Sequence, residues 1–280
     1  MMQYARPSSV EDAVSLLSRD DYIIVAGATD IYPALLAPGP RGRFLDISHL
    51  PNLRAIKDCG AYWRIPALAT WSELIAAPLP SLFDGLKQAA REVGGRQVQN
   101  AATICGNVCN ASPAADGVPN LLTLDAEVEL ASVDGQRTMP IGDFIVGNRR
   151  TRRQRSELVT GIRVPKSSER VVSGFSKLGA RRYLVISIAM VAAVFEVASD
   201  RRVARARIAV GACSPVAVRL SSLEADLAGR PFDSALHECV TEDHLGVLAP
   251  IDDVRATAEY RRAAARILVS RLVADLAAEA

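Results

Sequence analysis

The spacing of apolar residues over the first thirty positions predicts a helix, a strand and a turn in quick succession. Ser9 and Asp12 stand at the start of apolar residues with helical spacing, which predicts a short capped helix. The apolar residues at 22–25 predict a buried strand, and the small residues at 26–30 predict a tight turn directly after it. This close alternation is typical of folds that mix helices and strands.

The middle of the chain contains two further helix starts and one hairpin. Thr70 and Glu73 have the spacing of a capping box. A helix is predicted over residues 81–93, because its apolar residues form one stripe and two glycines follow it. Residues 127–132 alternate between apolar and polar, and the Asp-Gly pair that follows predicts a hairpin.

The longest apolar run of the chain lies at residues 183–195. Its 13 residues are fewer than the roughly 20 that a membrane-spanning helix needs, so no membrane span is predicted. Its Val and Ile content predicts a buried strand or a strand pair. The remaining predicted strands are 44–47, 157–165, 172–178, 184–197 and 203–213, and the remaining predicted helices are 221–228, 234–242 and 257–278.

Composition and charge narrow the class of protein. The 280 residues are 49% apolar and 23% charged, which is ordinary for a soluble globular enzyme with a substantial core. The formal net charge is only +2, so the overall field does not favour nucleic-acid binding. The five cysteines are an odd number and no apolar leader segment precedes them, so we expect reduced thiols in a cytoplasmic protein.

Several common catalytic and metal-binding motifs are missing from the sequence. It contains no Walker A motif, no HExxH motif and no GxGxxG after a strand. Its three histidines do not stand at metal-ligand spacing with other candidate ligands. Cys105 and Cys109 form a lone CxxxC, which we interpret as two small residues beside a loop rather than as ligands of a metal or cluster.

Two loops carry the residue types that a phosphate-containing ligand needs. Residues 26–30 follow a strand, and residues 103–107 lead into the polar and small residues of 111–116. Small side chains let the backbone approach a ligand, and successive free N–H groups form a concavity for a diphosphate. Thr, Ser and Asn add donors, and Asp accepts from ribose hydroxyls. Taken singly, each loop is better explained as a tight turn packed against a strand.

Together, in this order, the two loops resemble the FAD-binding medium subunit of the molybdenum hydroxylases, a family that includes xanthine dehydrogenases, carbon monoxide dehydrogenases and aldehyde oxidoreductases. The resemblance extends over essentially the whole chain. It rests on VAGATDIYPAL, QVQNAATICGNVCNASPAADGVPNLLTLDAEVEL, ELVTGIRVP, GFSKLGARRYLVISIAMVAA and APIDDVRATAEYRR.

The resemblance implies an α+β fold of two parts. A two-lobed FAD-binding domain of the vanillyl-alcohol-oxidase/PCMH type would be followed by a smaller α/β C-terminal domain. The polar stretch at 166–169 separates two apolar segments and marks the expected boundary. The expected domains are therefore 1–168, with lobes of roughly 1–56 and 57–168, and 169–280.

The resemblance also implies which residues bind the FAD. The first loop would contact the diphosphate through backbone amides, and the second would contact the diphosphate and the ribityl region. Asp116 would hold ribose or adjacent hydroxyls, Lys177 would lie near the flavin, and Val93 and Val159 would pack against the cofactor. The complete expected set is Ile24, Val25, Ala26, Gly27, Ala28, Thr29, Asp30, Ile31, Val93, Thr103, Ile104, Cys105, Gly106, Asn107, Asp116, Val159 and Lys177.

Two of these positions depart from the family pattern. Ala28 and Cys105 each stand where the family usually has glycine. If either position needs a positive φ, its side chain introduces roughly 1–2 kcal/mol of strain. We expect FAD binding to be retained, because Gly27 and Gly106 are present.

Two segments have more than one interpretation. The arginine-rich loop at 149–155 could neutralise cofactor phosphate, dock a partner subunit or form a solvated surface. The apolar stripe of the helix predicted at 257–278 could pack in the core or form a subunit interface.

The resemblance implies a division of labour between subunits. A large molybdopterin-binding subunit would hydroxylate the substrate, and a small [2Fe–2S] subunit would relay the electrons. This chain would hold FAD and pass electrons to NAD+ or another acceptor, within a dimer of heterotrimers. The protein's own task would be to position the cofactor and tune its electronics.

Two alternatives remain open on the sequence. One is a self-sufficient FAD oxidase with the same flavin-binding fold, although the chain is poor in His and short for a substrate cap. The other is a non-catalytic binding or assembly protein. Substrate oxidation by the purified chain alone would favour the first, and a protein that stays free of flavin would favour the second.

Overall fold

A small parallel sheet begins the chain. The computed structural model describes residues 3–31, 42–167 and 169–278. The sheet has the strand order β1-β3-β2, with both outer strands parallel to the central one. Its elements are β1 (Gln3–Ala5), α1 (Val10–Arg19), β2 (Tyr22–Val25) and β3 (Arg43–Asp46).

The first helix forms as its sequence predicts. The Ser9 side chain accepts a hydrogen bond from the Asp12 amide and caps α1. The helix buries Ala13, Val14 and Leu17 in the main core. Burial of this single face fixes α1 against the rest of the N-terminal half. Strand β2 follows α1 and runs directly into residues 26–30.

A five-stranded antiparallel sheet forms the centre of the N-terminal half. Its strand order is β4-β5-β10-β6-β7. Ile162 of the central strand is paired with Ile65 on one side and Val128 on the other, and all three side chains are buried. The elements are β4 (Lys57–Asp58), β5 (Tyr62–Pro66), β6 (Glu127–Ser132), β7 (Gly135–Pro140) and β10 (Leu158–Pro165).

Short helices connect and cover these strands. The capping box predicted at Thr70 and Glu73 is present, and Gly94 has φ +52° just after the helix predicted over 81–93, which ends at Glu92. That helix begins as a 3-10 turn over Ser81–Phe83. The elements are α2 (Trp71–Ala76), α3 (Asp84–Glu92), α4 (Arg96–Ala101), α5 (Ile104–Asn110), α6 (Gly117–Thr123), α7 (Ile141–Phe144), β8 (Ile145–Gly147) and β9 (Arg150–Thr151).

The C-terminal part is an antiparallel sheet of order β11-β12-β13-β14 packed against helices. Strand β12 is buried on both faces, which explains its continuous apolar sequence. The elements are β11 (Arg170–Leu178), β12 (Ala189–Val197), β13 (Val203–Gly211), β14 (Val218–Arg219), α8 (Ser221–Leu227) and α9 (Ala258–Ala278). The mixed fold of two successive parts agrees with the predicted class.

Two predictions about local structure are wrong. The strand predicted over 184–197 begins only at Ala189, because Leu184 adopts φ +53° and its carbonyl accepts hydrogen bonds from Arg181. The side chains of Tyr183, Leu184 and Ile186 are accordingly exposed. The helix predicted over 234–242 is a 3-10 turn at Ser234–Cys239.

The two sheets are joined by helices packed between them. Helix α3 packs against β11, and α6 packs against β12 and β13. Arg207 is buried in this junction, where its Nε donates to the Thr123 carbonyl and its Nη1 pairs with Glu196. The junction therefore contains a buried charge that is paired with a carboxylate.

Candidate functional site

The first predicted loop leaves the end of β2 as an open turn. Residues 26–30 lie outside regular secondary structure, and the Ile31 amide donates to the Ala28 carbonyl. The amides of residues 27–30 donate no hydrogen bond to any residue in the described part of the chain. Backbone donors without partners are uncommon in folded proteins unless solvent or a ligand meets them.

The second predicted loop is held by a cap and by two hydrogen bonds with residues at and just before the start of α2. Thr103 Oγ1 accepts a hydrogen bond from the Gly106 amide at 3.0 Å and so begins α5. The Trp71 amide donates to the Ala102 carbonyl, and the Ile104 amide donates to the Ala69 carbonyl. These bonds fix where residues 103–107 face.

The two loops meet at Gly27, which packs against Ala101 and Ala102, the residues directly before the second loop. A Cβ atom added to Gly27 would lie 1.9 Å from the Ala101 carbonyl oxygen and 3.0 Å from the Ala102 Cα. No side chain fits at position 27 while the backbones are this close. The glycine is thus needed for contact between the two loops, whatever ligand they bind.

A cavity of about 490 Å³ opens beside this contact. That volume is within the range of small-molecule and cofactor pockets. Thirteen of the predicted residues lie in its lining: Ile24, Ala26, Gly27, Ala28, Thr29, Asp30, Ile31, Val93, Thr103, Cys105, Gly106, Asn107 and Val159. The fold therefore brings both loops and the two apolar positions, Val93 and Val159, to one cavity. Motif residues 32–35 lie outside the described residues.

Four predicted residues lie outside the lining. Val25 is the last residue of β2, and its carbonyl accepts from the Ile47 amide, whereas Ile104 is fully buried in the main core. Asp116 and Lys177 form an ion pair of 2.7 Å with both side chains buried. The structure does not bring these four residues to the cavity, and their contact with FAD stays a prediction.

The Asp116 carboxylate is fully engaged by protein groups. Its Oδ2 accepts from Lys177 Nζ at 2.7 Å and its Oδ1 accepts from Ser187 Oγ at 2.6 Å. Burial raises the pKa of this carboxyl, and the Lys177 ammonium and the Ser187 hydroxyl oppose the rise. The pair joins the N-terminal end of α6 to strand β11, on opposite sides of the junction between the two sheets.

The two departures from the family pattern differ in their backbone. Ala28 has φ +59°, so the strain expected for a side chain in place of glycine is present there. Cys105 lies within α5 and is not among the residues with positive φ. Its thiol is buried, and that burial raises its pKa well above the usual value, which disfavours the reactive thiolate form.

Eleven lining residues were not predicted from the sequence. They are Tyr22, Ile23, Ile47, Ala67, Trp71, Val98, Ala102, Cys109, Asn110, Arg153 and Leu158. Cys109 and Asn110 could have been predicted, because they follow the second loop within about one helical turn. Trp71 and Ile47 could not, since only the folded chain places α2 and the end of β3 beside the loops.

The lining is suited to binding rather than to acid–base chemistry. It contains no histidine among the described residues, and its charged side chains are Asp30 and Arg153. No group of His, Cys, Asp or Glu able to hold a metal ion occurs in the described part of the chain. The chemistry available is that of backbone amides, hydroxyls, one cation and an apolar wall. Within residues 3–31, 42–167 and 169–278, no helix is long and apolar enough to cross a membrane.

Comparisons with known proteins agree with this site and fold. Residues 1–167 match a family model for the FAD binding domain in molybdopterin dehydrogenase, and residues 175–276 match the CO dehydrogenase flavoprotein C-terminal domain.

Named relatives match along nearly their whole length. The chain is 29% identical to the nicotine 6-hydroxylase medium subunit of Paenarthrobacter nicotinovorans, with 99% of this chain and 98% of the relative covered. It is 28% identical to the carbon monoxide dehydrogenase medium chain of Hydrogenophaga pseudoflava, with 96% and 94% covered. A structure of reconstituted CO dehydrogenase from Oligotropha carboxidovorans superposes with a TM-score of 0.91 at 25% identity, covering 100% of this chain and 99% of that one.

The resemblance stated from the two loops is thereby confirmed, and the presence of an FAD-binding domain with it. The first family model alone spans more than half of the chain. The chain belongs to the family of FAD-binding medium subunits of molybdopterin-dependent dehydrogenases.

Proposed function

We propose that this chain holds FAD with its diphosphate against residues 26–30 and 103–107, and that it relays electrons from a [2Fe–2S] subunit to NAD+ or another acceptor. The observation that carries the proposal is the contact of the two loops at Gly27 beside a cavity of about 490 Å³. Separate turns could each be structural, but two turns that line one cavity, with free amides at residues 27–30, offer a binding site for an anion.

The donors present fit the diphosphate and hydroxyl groups of FAD. The amides of residues 27–30 have no partner among the described residues, so they are available to phosphate oxygens. Asn107 lines the cavity, and its Oδ1 is a buried acceptor that receives no hydrogen bond from the described part of the chain. A polar group left unpaired in a fold is expected where a bound molecule completes it.

The apolar part of the lining fits the rings of the cofactor. Val93, Val98, Trp71 and Val159 contribute side chains to the same cavity as the two loops. Such a wall excludes water from the bound rings and strengthens the polar contacts beside it. When bound, FAD supplies the two-electron redox chemistry, and the residues of this chain orient it and exclude solvent.

The ribose contact proposed for Asp116 requires a change of partner. Both carboxylate oxygens are engaged by Lys177 and Ser187 in the structure. A contact with the cofactor would therefore replace one of these bonds, and the pair would serve first to fix α6 beside β11. We retain Asp116 and Lys177 in the proposed site on the family resemblance alone.

The lining supports a division of labour between subunits. With no histidine among its described residues, the cavity offers little acid–base chemistry for hydroxylating a substrate. Two of the relatives are named as the medium subunit of a hydroxylase and the medium chain of a dehydrogenase. We propose a large molybdopterin-binding subunit and a small [2Fe–2S] subunit as partners in a dimer of heterotrimers, with the domain boundary of this chain near residue 168.

Reconstitution of the purified chain tests this function. We expect the chain alone to bind one FAD and to oxidise none of the substrates of such complexes. Its flavin absorbance should bleach when reduced [2Fe–2S] partner is added without oxygen and recover when an acceptor is supplied. A chain that stays colourless after FAD addition overturns the proposal, and substrate turnover by the chain alone would establish the self-sufficient oxidase instead.

A further inference from the structure

One arginine of the segment 149–155 is placed differently from its neighbours. Arg153 lies in the lining of the FAD cavity. Its side chain is half-buried, whereas those of Arg152 and Arg155 are exposed. Arg155 pairs with Asp21 at the surface, and no contact of these two neighbours reaches the cavity. The structure thus separates one cavity residue from a set that the sequence leaves equivalent.

The Arg153 guanidinium is held in place by backbone carbonyls. Its Nη1 donates to the Glu157 carbonyl at 2.7 Å and to the Gln154 carbonyl at 3.0 Å. Its Nε and Nη2 donate to no residue in the described part of the chain. One edge of the group is therefore fixed, and the remaining donors are free for a ligand. A fixed guanidinium loses little side-chain entropy when it binds.

The charges in the lining make Arg153 distinctive. Among the described residues, Arg153 is the cation of the cavity wall and Asp30 is the anion. The wall therefore has no net charge, while the diphosphate of FAD carries two negative charges. Backbone amides supply partial positive charge from the loops, and Arg153 supplies the full positive charge.

The charge of Arg153 affects the thiol of Cys109, which also lines the cavity. Cys109 is exposed there, although the protein around its thiol raises its pKa to about 11. The positive charge of Arg153, which lines the same cavity, opposes that rise. Cys109 is in α5, the helix that begins at the second loop, so the cation and the diphosphate-binding turn share one wall.

We propose that Arg153 is a cofactor-binding residue that donates charge-assisted hydrogen bonds to the FAD diphosphate. The proposal deepens the function argued above and rests on FAD occupying the cavity. It divides the roles of the arginine-rich segment: Arg153 neutralises cofactor charge, and its exposed neighbours make surface contacts such as the pair of Arg155 with Asp21. Because the Arg153 side chain is only half-buried, its contribution to FAD affinity should be largest at low ionic strength.

Three substitutions separate charge from structure. Arg153→Gln removes the charge but keeps an amide that can donate to the carbonyls of residues 154 and 157, and Arg153→Lys keeps the charge. Arg152→Gln is the matched control, because Arg152 is exposed and outside the lining. FAD dissociation constants of the apo chain are measured by flavin fluorescence at low and high salt, with circular dichroism spectra to verify folding.

The expected result is a salt-dependent loss in one variant. Arg153→Gln should weaken FAD binding about 10- to 100-fold at low salt, as removal of a charge-assisted hydrogen bond does. The deficit should shrink at high salt, Arg153→Lys should retain most of the affinity, and Arg152→Gln should match the parent chain. A parent chain that binds no FAD would refute the proposed function itself, a result distinct from any below.

Two results overturn the role of Arg153 while FAD binding stands. Equal affinities for Arg153→Gln and Arg152→Gln would remove the residue from the site. Equal losses in Arg153→Gln and Arg153→Lys, unaffected by salt, would mean that the guanidinium stacks on the adenine ring instead. If Arg153→Gln does not fold, the salt dependence of Arg153→Lys against the parent decides between charge and stacking.

Discussion

The cavity region and the C-terminal sheet satisfy their polar groups to different degrees. In the C-terminal sheet, β12 is buried on both faces, and the buried Arg261 donates to the carbonyls of Ile188 and Ala212 and pairs with Asp253, which leaves its Nε without a partner among the described residues. In the cavity region, the amides of residues 27–30 have no partner among the described residues.

The difference shows which region depends on a ligand. The C-terminal sheet closes its core with apolar side chains, so its stability is internal. The cavity region leaves backbone donors open and holds Ala28 in a left-handed conformation, so bound FAD should complete it. A ligand that binds only the folded state stabilises it according to its free concentration relative to Kd. Mutations in the two regions should therefore separate stability from cofactor affinity.

The largest effect is expected from Leu272→Ala in the C-terminal core. Leu272 is buried on α9 and packs in the cluster formed with β12 and β13. Removing its side chain should lower the free energy of unfolding by about 2–5 kcal/mol, because a cavity remains. Urea unfolding measures the loss, and FAD affinity of the folded variant should not change. A weakened FAD affinity here would mean that the two regions are coupled.

The next largest effect is expected from Gly27→Ala. The added methyl group would meet the Ala101 carbonyl oxygen, so the two loops must separate. FAD binding should weaken roughly 5- to 150-fold, since overpacking shifts backbones at a cost of about 1–3 kcal/mol. Gly147→Ala is the matched control, because its added Cβ would meet only ordinary contacts at 3.9 Å. Fluorescence titration that finds equal affinities for the two variants would contradict contact between the loops.

A smaller effect of opposite sign is expected from Ala28→Gly. Glycine adopts φ +59° without the clash of a Cβ, so the free energy of unfolding should rise by up to about 1 kcal/mol. The gain is limited because glycine also loses more backbone entropy on folding. Thermal unfolding of the apo chain measures the change. A destabilised variant would show that the strain at residue 28 is already relieved by packing.

The smallest effect is expected in the pH dependence of stability. Burial tends to raise the pKa of Glu157, but hydrogen bonds from Arg137 and the Gln154 amide lower it below the ordinary 4.5. Because the folded state favours the charged form, this contribution is present above pH 4.5 and is lost as the pH falls below that value. Arg137→Gln should flatten this decline in unfolding experiments between neutral and acid pH. An unchanged decline would assign it to other carboxyl groups.

Local features were predictable wherever neighbouring residues decide them. The Ser9 cap, the Thr70–Glu73 capping box and the end of α3 before Gly94 depend on side chains within four positions of each other. The small-residue loops were predictable for the same reason, and the family resemblance placed both of them in one site. Ala28 was identified as a position of strain if its φ proved positive, and it is positive.

Other features depended on contacts between distant segments. The exposed loop before β12 was predicted as strand, because an apolar sequence does not show that the Leu184 carbonyl will bind Arg181. Trp71 reaches the cavity only because α2 packs beside the second loop. The pairing of Asp116 with Lys177 joins residues 61 positions apart, and no spacing pattern reports such a pair.

The amino-acid sequence alone determined the helix caps and the two small-residue loops, because short-range hydrogen bonds and glycine's conformational freedom act within a few residues. The motifs of these loops also identified the family to which the chain belongs. Tertiary structure alone decided that the loops meet at Gly27, and that Arg153 rather than another arginine lines the cavity. Those facts follow from how separate helices and strands pack, and packing brings together residues that have no fixed separation along the chain.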